Sequence, residues 1–161
     1  MQLLYRMLVL IGQLTLSFSV GCFVYMLFAL LDFEGGFPAF LGMVTFHPLM
    51  AVVLVSATMM VGLLAGLPLR FNNALRRWWV RHFAVQAGLI ALGLVLLIGA
   101  VVFPETRSVD PAELGIKLVP NLTLAISGWL LLIFGLLHVY PPLHWLDRLG
   151  SQFQTHFETS S

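Results

Sequence analysis

Two histidines form the one pair in this chain that could hold a metal-centred cofactor. His82 and His138 each stand at the arginine-rich end of a long apolar segment, and those two segments run in opposite directions. Both imidazoles therefore fall at a similar depth. Facing imidazoles between bundle helices can ligate the iron of a b-type haem, and arginines at the same level, here Arg77 and Arg81, can pair with its propionates. The competing reading makes both of them boundary histidines that are solvated or cap helix carbonyls. His47 lies at the other end of the molecule and cannot join the pair, and His144 and His156 read as surface residues of the C-terminal tail.

Gln13 and Gln86 are the least comfortable polar residues inside the apolar segments. A primary amide in hydrocarbon either bonds across a helix–helix contact or lines a ligand site or pore. The cross-helix bond is the expectation for both. No apolar segment carries an acidic or basic residue in its middle, the signature that ion-coupled carriers use. The single cysteine, Cys22, forms no internal disulfide and reads as a small buried hydrophobe. There is no Gly-x-Ser-x-Gly elbow, no phosphate-cradling glycine loop and no His-Glu-x-x-His. Small multidrug exporters and inner-membrane thiol oxidases have four spans in a short chain. The first need an acidic residue in the first span and the second need cysteine pairs, and this chain has neither.

The elements that would position these side chains follow from hydropathy. Of 161 residues, 60 % are hydrophobic and 9 % charged, against roughly 45–50 % and 25 % in soluble domains. Residues 7–31, 48–69, 83–103 and 119–140 each form an apolar run, long enough at 1.5 Å per residue to cross about 30 Å of hydrocarbon. The expectation is an all-α protein, a four-helix transmembrane bundle occupying residues 1–142, followed by an amphipathic cytoplasmic tail over 143–161. In that tail Trp145, Leu146, Leu149, Phe153 and Phe157 recur at helical spacing. The first run is too long for a signal peptide and lacks a small-x-small cleavage site, so it reads as a retained anchor.

Cations set the orientation. Arg6, Arg70, Arg76, Arg77, Arg81 and Arg148 fall on one side of the four runs, and Arg107 and Lys117 on the other. The positive-inside rule predicts both termini in the cytoplasm of a bacterial inner-membrane protein, with Trp78, Trp79, Tyr140 and Trp145 at the headgroup level. The cluster Arg70, Arg76, Arg77 and Arg81 reads first as a topology anchor attracting anionic lipid, and second as a dock for a cytoplasmic partner.

Two loops carry local signals. Residues 33–47 are apolar and hold four phenylalanines. Either they lie in the interface, or the second helix starts near Pro38, which suits a first helical turn after Gly35-Gly36. The longer helix is favoured, with Pro48 inside it and kinking it. In the second outer loop, Asp110, Pro111 and Glu113 predict a short helix over residues 111–117.

Small residues recur at close-packing spacing: Gly62 with Gly66, Ala84 with Gly88, Ala87 with Ala91, and Ser17 with Gly21. Such pairs let helix backbones approach. A set facing outward would favour an oligomer. The functional expectation is a non-enzymatic membrane protein, without cofactor, acting through helix–helix association: an accessory or assembly subunit, an immunity-type protein or a self-associating effector. Its partners would be membrane lipids and other membrane subunits or itself, with no nucleic acid. The alternatives are a redox subunit binding haem b or a quinone, and an oligomeric channel or small-solute carrier lined by Gln13, Ser17 and Gln86.

Overall fold

The computed structural model describes residues 2–31, 33, 35–108 and 116–140. It is mostly helical. In chain order the elements are α1 (Gln2–Leu31), α2 (Phe37–Ala65), α3 (Leu67–Phe71), α4 (Asn73–Arg81), α5 (Phe83–Val102), β1 (Glu105–Ser108), β2 (Ile116–Val119) and α6 (Leu122–Leu137). Three helices are long and apolar enough to cross a membrane, over Met7–Leu31, Phe37–Ala65 and Phe83–Val102. The fourth apolar helix, α6, has 16 residues and is about 24 Å long, shorter than the 22-residue run in the sequence. Val119 belongs to a strand instead, and the chain turns at His138.

The second helix takes the longer form. Gly36 is its N-cap, Pro38 occupies its first turn, and Pro48 lies in its interior, where a missing N–H leaves the Val44 carbonyl without its helical donor. It stops at Ala65 rather than at residue 69, because the Gly66–Pro68 segment restarts the chain as α3. Asn72 then caps α4, its Oδ1 accepting from the N–H groups of Ala74 and Leu75 at 2.9 and 3.2 Å.

The predicted outer-loop helix over 111–117 is not found in the part that is described. Ile116 and Lys117 open β2, which pairs antiparallel with β1 in the register Glu105–Val119 to Ser108–Ile116. Thr106, Val119 and Ile116 are β-branched and favour a strand, and the pairing satisfies backbone groups that a short helix start would satisfy only locally. Residues 111–115, Asp32 and Glu34, and the predicted amphipathic tail over 143–161 lie outside the described residues.

Packing centres on α6, which touches α1, α2 and α5. One cluster joins Val24, Leu97, Leu132 and Leu136, another Val55, Met59, Ile133 and Leu137, and Trp129 packs against both. Lipid matches Leu for apolarity, so close contact rather than burial from water holds such helices together. Glycines supply it between α5 and α6. A Cβ on Gly93 would fall 2.7 Å from the Leu132 nitrogen, and one on Gly128 would fall 2.7 Å from the Gly93 oxygen. Large apolar side chains cover the outside, among them Phe23, Val53, Met60 and Ile98, as a hydrocarbon surrounding requires.

Candidate functional site

Two constellations of polar side chains interrupt this apolar body, one at each end. At the arginine end, the backbone that follows α6 has lost its helical partners and needs new ones in a low-dielectric setting. Side chains from three other elements supply them. Trp79 Nε1 donates to the His138 carbonyl at 2.7 Å, and Gln13 Nε2 donates to the Val139 carbonyl at 2.5 Å. Gln86, fully buried, accepts from the Tyr140 N–H through Oε1 at 2.8 Å and donates through Nε2 to the Trp79 carbonyl at 2.6 Å. Both glutamines thus bond across elements and close one end of the fold.

His138 sits in this knot. Its ring stacks on Phe134 with centroids 4.5 Å apart, and Nδ1 lies 2.9 Å from the Phe134 carbonyl. Nε2 is buried without a hydrogen-bond partner and faces Gly66, where an added Cβ would fall 1.7 Å from it. His138 follows the last residue of α6, so this environment belongs to the end of the bundle.

His82 and His138 stand in different surroundings. His82 is exposed, with its ring centroid 4.9 Å from that of Trp78 and Nδ1 2.7 Å from the Trp78 carbonyl. The unpartnered Nε2 of His138 faces Gly66. Among the described residues no group of three or more His, Cys, Asp or Glu could hold a metal. Of the basic cluster, Arg70 and Arg76 are half-buried and Arg77 and Arg81 exposed, with the Arg70 Nε buried and unpartnered.

The small residues divide by face. Gly62 packs against Leu137 and Gly66 against His138, both inside the protein. Ala84 and Gly88 face outward, and nothing lies within 4 Å of a Cβ placed on Gly88.

The second constellation lies toward the hairpin end. The Tyr25 hydroxyl of α1 sits 3.2 Å from His47 Nδ1 of α2, both half-buried. They line a cavity of about 550 Å³ whose rim includes Glu105 and Thr106 of β1. Tyr25, Phe28 and Ala125 are shared with a second cavity of about 360 Å³ between α1, α2, α5 and α6, lined by Leu54, Leu97 and Ile126. In its lining Trp129 Nε1 donates to Thr58 Oγ1 at 3.1 Å, and Thr58 in turn donates to the Leu54 carbonyl at 2.7 Å. The pair of cavities is an apolar cleft with a polar mouth.

From the sequence His47 was assigned no role, although a second helix starting near Pro38 already contains it. Once α2 starts at Phe37, His47 is an ionisable residue ten positions inside a candidate span, and such residues are costly there and kept for a use. The signal that locates it is Pro38 after Gly35-Gly36, read together with the apolar stretch that follows.

The fold and its apolar surface define a multi-pass membrane protein. Compared with family models, with curated proteins and with solved structures, the chain matches none of them.

Proposed function

We propose that the protein works inside a bacterial inner membrane by helix–helix association, as a non-enzymatic subunit that joins a second copy of itself or another membrane protein. One observation carries this reading. α5 presents two opposed seams, each with alternating four- and three-residue steps. Gln86, Ile90, Gly93, Leu97 and Ala100 form the first, which packs on α6. Ala84, Gly88, Ala91, Val95, Ile98 and Val102 form the second, and all six are exposed. A 3.5-residue apolar repeat sustained along a whole helix is the pattern by which a partner helix is received. Small residues at the arginine end of that seam admit a close backbone, and β-branched residues at the hairpin end offer stiff knobs.

In this reading the chain crosses four times, with α6 and the hairpin together filling the fourth crossing, and both termini are cytoplasmic. Arg70, Arg76, Arg77 and Arg81 then meet anionic headgroups and fix the orientation. The test is the mass of the particle purified in mild detergent, compared with Gly88→Leu. Wild type is expected to carry a second subunit that Gly88→Leu releases. A wild-type particle that is strictly monomeric, with nothing co-purifying, overturns the reading.

A further inference from the structure

The cleft at the hairpin end has the anatomy of a binding site, independent of the α5 seam. We propose that it binds a neutral amphiphile with a carbonyl-bearing head, a quinone ring or an acyl ester, and a single apolar chain.

The head is assigned by hydrogen-bond inventory. Tyr25 and His47 are 3.2 Å apart at Nδ1. If the phenol donates to Nδ1, the imidazole carries its proton on Nε2 and donates it onward. If Nδ1 carries the proton and donates to the phenol oxygen, the phenol hydrogen is the one left over. Either tautomer leaves one donor unspent, so the pair offers a hydrogen bond to an acceptor in the cavity that both residues line.

Charge narrows the head further. Glu105 is among the residues that line the cavity beside the hairpin. A phosphate or carboxylate head would meet that carboxylate, and like charges repel strongly in a low-dielectric site. A neutral acceptor meets no such cost.

The tail is assigned by the second cavity. Its walls are Phe28, Leu54, Leu97 and Ile126, and its polar atoms at Thr58 and Trp129 bond to each other and to the Leu54 carbonyl. They ask nothing of a ligand, so this part suits a chain without polar groups. Each of the two volumes, about 360 and 550 Å³, is of the size at which small-molecule sites occur. Ala125 lines both cavities, so a larger side chain there would intrude between head and tail.

Tryptophan emission of the protein in dodecyl maltoside reads this site, because Trp129 lines the second cavity. A decyl-substituted benzoquinone is the probe and a decanoyl monoglyceride the competitor, with a lysophosphatidylglycerol of equal chain length as the anionic control. Saturable quenching that Trp129→Phe largely removes is expected. Tyr25→Phe and His47→Phe should each weaken it roughly three- to tenfold, the share of one hydrogen bond, with unchanged helix content. Ala125→Phe should abolish it, and Tyr25→Phe keeps the test decisive if that variant does not fold. Competition by the monoglyceride assigns the shared carbonyl, and quenching without competition assigns the quinone ring. Quenching that rises linearly without saturation, wild-type affinity in both hydroxyl- and imidazole-deleted variants, or equal competition by the anionic lipid overturns the proposal.

Discussion

Replacing Gly66 by alanine should destabilise the arginine end, and the structure sets the size of the effect. Gly66 has φ −85° and ψ 0°, a right-handed conformation that alanine adopts without strain, so any cost is steric. The new Cβ would lie 1.7 Å from His138 Nε2, 2.3 Å from Cε1 and 2.7 Å from Cδ2. To restore ordinary contact the ring must retreat by about 2 Å. It cannot do so freely. Leaving its place forfeits the Nδ1 bond to the Phe134 carbonyl, about 1 kcal/mol, and the stack on Phe134, about 0.5–1.5 kcal/mol. An off-rotamer position adds about 0.5–1.5 kcal/mol. The expected loss is about 2–4 kcal/mol. Unfolding in mixed dodecyl sulfate and dodecyl maltoside micelles, followed by circular dichroism, measures it. His138→Ala removes the obstacle, so the double variant should lose much less than the sum of the single variants. A Gly66→Ala protein within about 0.5 kcal/mol of wild type, or additivity of the two changes within about 0.5 kcal/mol, refutes the reasoning.

Two further outcomes follow from the same structure and the same assay. Gln86→Leu strands the Tyr140 N–H and removes a donor from Trp79, and should cost about 2 kcal/mol, whereas Gln13→Leu gives up one bond to Val139 and should cost about 1 kcal/mol. Gly93→Ala should cost about 1–3 kcal/mol, because its Cβ meets the Leu132 and Gly128 backbone, which cannot rotate aside, while Gly88→Ala should change monomer stability by less than about 0.5 kcal/mol.

The membrane class of this protein was legible in composition, and three of its four apolar runs became helices long enough to cross. Two expectations departed from the structure for identifiable reasons. The fourth run was measured by hydropathy, which does not distinguish Val119 in a strand from a helical residue, so α6 came out shorter than its apolar stretch. The helix signal at Asp110, Pro111 and Glu113 did not anticipate that Ile116 and Lys117 would pair across to Ser108 and Arg107, since strand pairing depends on a partner distant in sequence.

The candidate sites show the same division. Side-chain type alone marked Gln13 and Gln86 as groups that must find partners in hydrocarbon, because an amide carries that demand wherever it is placed. Which partners they found depended on where α6 ends. The spacing of Ala84, Gly88 and Ala91 put them on one face of α5, yet only the position of α6 decided that this face stays open while Gly93 is covered. Local chemistry is a property of each residue and its near neighbours, so the chain alone determined what lies in lipid and which atoms are costly there. Proximity between α1 and α2 is a property of packing, so only the tertiary structure placed Tyr25 beside His47 at the mouth of a cleft.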